Sequence, residues 1–122
     1  MTRVSKELAQ MLKIKGYDVP TSYRYFERDG EMHEPITPMR NNWNATPKCT
    51  SRPTLAAVAQ WLRERHNMHV CIDMYESKWF WVIRNATTGF VVTYSGVQEK
   101  RRFDAHDEAL SAGIEHSLKL IP

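Results

Sequence analysis

The chain is short of most things that mark a chemical function. It has two cysteines, Cys49 and Cys71, in 122 residues. That excludes a disulfide framework and leaves a reducing cytoplasm as the expected compartment. It has five glycines and no clustered run of them, so a phosphate-cradling loop is absent. No paired catalytic carboxylates and no serine-nucleophile motif appear. No apolar run approaches the roughly 20 residues of a membrane span. The start, Met1-Thr2-Arg3-Val4-Ser5-Lys6-Glu7, turns polar before the apolar core of a signal peptide forms. Charge of one sign is also scarce. The net charge is +3, a small excess for a phosphate binder.

What remains is the composition of a folded domain. Hydrophobic residues make up 42% of the chain, and four Trp, five Tyr and four Phe argue against disorder. The length suits one domain. The clearest stretch is 51–75. Pro53 suits a first helical turn, and Ser51 or Thr54 can cap it. Leu55, Val58, Ala59 and Leu62 recur at helical spacing, with Trp61 widening the stripe. After His66-Asn67 the period becomes two: Met68, Val70, Ile72 and Met74 against His69, Cys71, Asp73 and Tyr75.

Before that stretch, residues 4–15 read as a helix capped by Ser5 and stopped by Gly16. A hairpin over 21–28 and 31–37 follows, turned at Asp29-Gly30. Pro35 assigns its second strand to an edge. Residues 39–52 read as a loop with Trp43 tucked in. After the stretch come a turn at 76–78, a strand at 79–84 apolar on both faces, and a strand at 90–95. Residues 97–103 read as either strand or loop. A last helix starts at Asp104, and its small residues Gly113 and Ser117 predict close packing on the sheet.

The order α-β-β-loop-α-β-β-β-α predicts a single α+β domain over 1–122, an antiparallel sheet with helices mainly on one face. Its parts are a helix plus hairpin at 1–38, a loop at 39–52 and an α-β-β-β-α unit at 53–122.

The segments Pro53-Thr54-Leu55, Trp61-Leu62-Arg63-Glu64, Met68-His69-Val70 and Glu108 to Ile114, with Leu8 to Asp18 at the start, carry a resemblance. Together they resemble small uncharacterised proteins encoded by phages, prophages and mobile elements of gut bacteria. The resemblance implies a cytoplasmic accessory protein and supplies no catalytic residue. The order α-β-β-β-α over 53–118 also resembles double-stranded RNA-binding domains, which place lysines at the start of the last helix. Here that position reads Asp104-Ala105-His106-Asp107-Glu108, which repels phosphate.

Three chemical readings compete with a plain binding protein. His66, His69, Cys71 and Cys49 sketch a zinc site, but the tight CxxC pair is missing. A Cys/His nucleophile needs a cysteine held beside a base, and nothing local holds Cys49. Arg84, Lys100, Arg101 and Arg102 form a candidate nucleic-acid surface, beside aromatic residues able to stack on bases. The aromatic strand offers a candidate protein interface at Trp79, Trp81 and Tyr94, residue types that dominate binding hot spots. The expectation is a non-enzymatic accessory protein of phage or mobile-element type, binding an unknown protein partner or itself. Nucleic-acid binding is the alternative, and no cofactor, metal or membrane is expected.

Overall fold

A computed structural model describes residues 2–35, 38–96 and 102–122. The fold is α+β, with three α-helices and two separate three-stranded antiparallel sheets. The chain divides into two compact units, Met1–Thr54 and Leu55–Pro122. Among the described residues, no helix is long and apolar enough to cross a membrane.

In the first unit, α1 spans Lys6–Ile14. Ser5 caps it: its Oγ accepts from the Leu8 N–H at 3.2 Å. Leu8, Ala9 and Leu12 are its buried face. Gly16 takes a left-handed φ of 88°, and the Tyr17 N–H then reaches back to the Leu12 carbonyl at 3.0 Å. Strands β1 (Arg24–Arg28) and β2 (Glu31–His33) form the hairpin. Asp29 and Gly30 both have positive φ, as a type I′ turn requires. The second strand is an edge strand and ends at His33, short of Pro35.

The segment 39–52 is more than a loop. It holds a 3-10 turn, η1 (Trp43–Ala45), and a third strand, β3 (Cys49–Ser51), which pairs with β1. Two side chains shape it. The Trp43 indole N–H donates to the carbonyls of Thr21 and Met39, both at 3.0 Å, and the Arg24 guanidinium lies 4.1 Å from its ring. Asn44 donates to the Tyr17 carbonyl and accepts from the Ser51 N–H, each at 2.8 Å. These bonds replace the regular ladder that Pro47 and the polar run deny it.

The second unit runs α2 (Leu55–His66), β4 (Met68–Tyr75), β5 (Lys78–Asn85), β6 (Val91–Tyr94) and α3 (His106–Leu120). Its sheet order is β4-β5-β6. Asn67, at φ 54°, turns the chain from α2 into β4. Its carbonyl accepts from the Ala86 N–H, and its side chain bonds Asn85 and Thr87 in the turn after β5. The last helix begins two residues after Asp104, which instead forms an ion pair with Lys78.

Both helices lie on one face of this sheet. Alternation and register put Val70, Ile72, Trp79, Trp81 and Ile83 on that face. A side chain on Gly113 would meet Val70 and Trp81, so α3 sits directly on them, and α2 packs on α3 and β4. Leu62 and Leu118 are fully buried, as are Val58, Ile83 and Ile114.

Candidate binding surface

Among the described residues, the second face of the β4-β5-β6 sheet carries no helix. Its residues follow from the register: His69, Cys71, Asp73 and Tyr75 on β4, and Arg84, Val82, Phe80 and Lys78 opposite them on β5. Tyr94 stands beside Val82 on β6, and Val91 beside Arg84, with a bulge between them. The centre of this face is Cys71, Phe80, Val82 and Tyr94. Tyr94 is 55% exposed, Val91 50% and Tyr75 46%, Phe80 and Cys71 are half-buried, and Val82 beneath them is buried. Exposed apolar surface of this kind, gathered on one sheet rather than scattered singly, marks contact surfaces.

Charges stand at both ends of the face, and Asp73 stands between them opposite Phe80. At one end, Arg84 donates to the Gly89 carbonyl at 3.0 Å. At the other, Lys78 is paired with Asp104. Arg102 reaches there from the segment that bridges Phe103 to Trp79. Its guanidinium lies 5.6 Å from the Tyr75 ring and donates to the Tyr75 carbonyl at 3.2 Å and to Glu76 at 3.4 Å.

The three residues singled out as a protein interface therefore separate. Trp81 is only 7% exposed, stacked on His116 under α3. Trp79 is on the same helix-covered face, half-buried against His106. Tyr94 alone is on the open face. Tyr75 and Phe80 join it there, with the buried Val82 beneath. Their signal was in the sequence, as the second apolar side of an alternating strand.

The candidate basic surface separates as well. Arg84 and Arg102 stand at opposite ends of β5, about 20 Å apart at the rise of a strand. Lys100 and Arg101 lie outside the described residues. The first turn of α3 carries Asp107 and Glu108, not lysines.

Among the described residues, no three of His, Cys, Asp and Glu sit close enough to hold a metal ion. His66 lies against the Trp61 ring, Cys71 is on the open face, and Cys49 is buried in β3. In the first unit, a cavity of about 210 Å³ has Lys13, Glu27, Lys48 and Thr50 on its wall. It is below the usual range of ligand pockets, and the Lys13 ammonium is already bonded to the Cys49 carbonyl at 2.7 Å.

Two tyrosines of the first unit titrate abnormally. Burial pushes the Tyr17 hydroxyl up to about 12, with the Asp18 carboxylate adding to it. Burial also raises Tyr25, against the lowering effect of Arg52. The Tyr25 hydroxyl donates to the Val4 carbonyl at 3.0 Å and accepts from Arg52 Nε at 2.9 Å. Both phenols are held neutral by packing, in a structural role.

No protein-family model, curated protein or solved structure matches this chain.

Proposed function

We propose that this chain is a non-enzymatic accessory protein that works in the cytoplasm by binding another protein through the open face of its second sheet. One observation carries the reading: an apolar and aromatic middle, Cys71, Phe80 and Tyr94, bordered by charged residues, Asp73 among them. That is the anatomy of a protein contact, a desolvated middle inside a polar rim. Tyr94, Tyr75 and Phe80 supply large, stiff side chains with little rotamer entropy to lose. That the accessory role is of phage or mobile-element type is part of the proposal and rests on the sequence resemblance alone.

The alternative, nucleic acid held by Arg84, Lys100, Arg101 and Arg102, is less well supported. Of its two described cations, Arg102 already bonds a carboxylate and Arg84 stands apart from it. Capture from extract of the native cell tests both. The wild-type chain retains a protein partner, Tyr94→Lys loses it, and Ile14→Lys, at an exposed apolar site in the first unit, retains it. Binding of mixed DNA and RNA that falls steeply with added salt overturns the reading in favour of the alternative.

A further inference from the structure

The open face is complementary to itself when reversed end for end. Its rows, taken along the strands, are His69–Arg84, then Cys71–Val82 beside Tyr94, then Asp73–Phe80, then Tyr75–Lys78. Lys78 and Arg102 already hold the carboxylates of Asp104 and Glu76. Asp73 and Arg84 have no opposite charge among the described residues. Among the described residues, Asp73 accepts from the Met74 N–H and Arg84 donates to the Gly89 carbonyl. Among those residues the face thus keeps one carboxylate and one guanidinium with no opposite charge, on either side of its middle row.

We propose that this face is covered by the same face of a second copy, with the strands antiparallel. This rests on the reading of the face as a protein-contact surface. A two-fold axis between the faces, crossing the strands at the Cys71–Val82 row, sets His69 and Arg84 of each copy over Asp73 and Phe80 of the other. In the central row the half-buried Cys71 and the exposed Tyr94 meet their counterparts above the buried Val82, and Arg84, one strand across from His69, reaches over to Asp73 of the other copy, as an isologous interface requires. Stacking the faces with strands parallel would set Arg84 over Arg84. Two strands of eight residues and one of four, about 4.8 Å apart, span at most roughly 14 by 26 Å. The buried area is thus below that of standard specific interfaces, so the dimer is weak and forms reversibly with concentration.

Sedimentation of the full chain over a concentration series tests this. The wild type shifts from monomer to dimer. Asp73→Arg alone and Arg84→Asp alone each weaken association about fivefold or more, because like charges then oppose. An equimolar mixture of the two variants associates again, since each supplies the charge the other lost. A short bis-maleimide joins the dimer through Cys71, because Cys49 is buried. If Arg84→Asp disturbs the turn at 85–89, Tyr94→Lys replaces it and removes the dimer through the apolar middle. A wild type that stays monomeric throughout, or a dimer that neither single variant weakens, overturns the self-pairing. A monomer leaves the contact-surface reading standing, because that reading fails on other results: a Tyr94→Lys variant that keeps its captured partner, or salt-sensitive binding of nucleic acid.

Discussion

Gly113 of α3 lies against Trp81 of β5: a methyl group built on it would stand 2.9 Å from Trp81 Cβ and 2.8 Å from Val70 Cγ1. Both neighbours are held in the sheet, so neither swings aside. Gly113→Ala should therefore destabilise the second unit by about 1–2 kcal/mol, overpacking outweighing the better helix propensity of alanine. Chemical denaturation followed by tryptophan fluorescence measures it. A stabilised variant would mean that α3 rides higher on the sheet than described.

Trp81 and Tyr94 should respond oppositely to truncation. Trp81→Ala opens a cavity under α3 and should cost about 3–5 kcal/mol. Tyr94→Lys changes an exposed side chain and should move stability by less than about 0.5 kcal/mol while removing partner binding. Thermal melts of both variants, beside the capture assay, separate core from contact surface.

The contrast between those residues marks how much was legible beforehand. The alternation through Trp79-Phe80-Trp81-Val82-Ile83 gave both faces of β5 correctly, and the caps at Ser5 and Gly16 and the turn at Asp29-Gly30 were readable. Which face the helices cover was not readable from the strand, because both sides are apolar. The decisive signal was Gly113 and Ser117, whose small size lets α3 approach the tryptophan side. Strand β3 escaped detection because three residues show no period, and its pairing with β1 is long-range. Separate sheets are invisible to a one-dimensional pattern for the same reason: strand order is set by contacts distant in sequence.

Tyr17 makes the first unit sensitive to alkali. Its folded hydroxyl titrates near 12, while the same group in an unfolded chain titrates near its ordinary value of 10.0. Below about pH 10 both states are neutral and the full stability is present. Between about 10 and 12 the unfolded chain ionises first, so stability falls as pH rises, and Tyr25 acts in the same direction. Denaturation midpoints at pH 9 and pH 11 should differ, and Tyr17→Phe should narrow the difference.

Tyr25 is also a fastening. Tyr25→Phe leaves the Val4 carbonyl and the Arg52 guanidinium without this hydroxyl, and should cost about 1–2 kcal/mol. The loss should appear as faster amide exchange at the start of α1, which the Val4 contact anchors. Unchanged exchange there would show that the Val4 N–H bond to Pro53 is sufficient alone.

Asn67 ties the end of α2 to the turn after β5 through one backbone and two side-chain bonds. The far hairpin therefore does not fray on its own: opening it also loosens the joint where the helix hands over to the first strand. Replacing Asn67 with glycine keeps the left-handed bend and cuts the side-chain tether, so loop motion and helix length, coupled in the native chain, become independent.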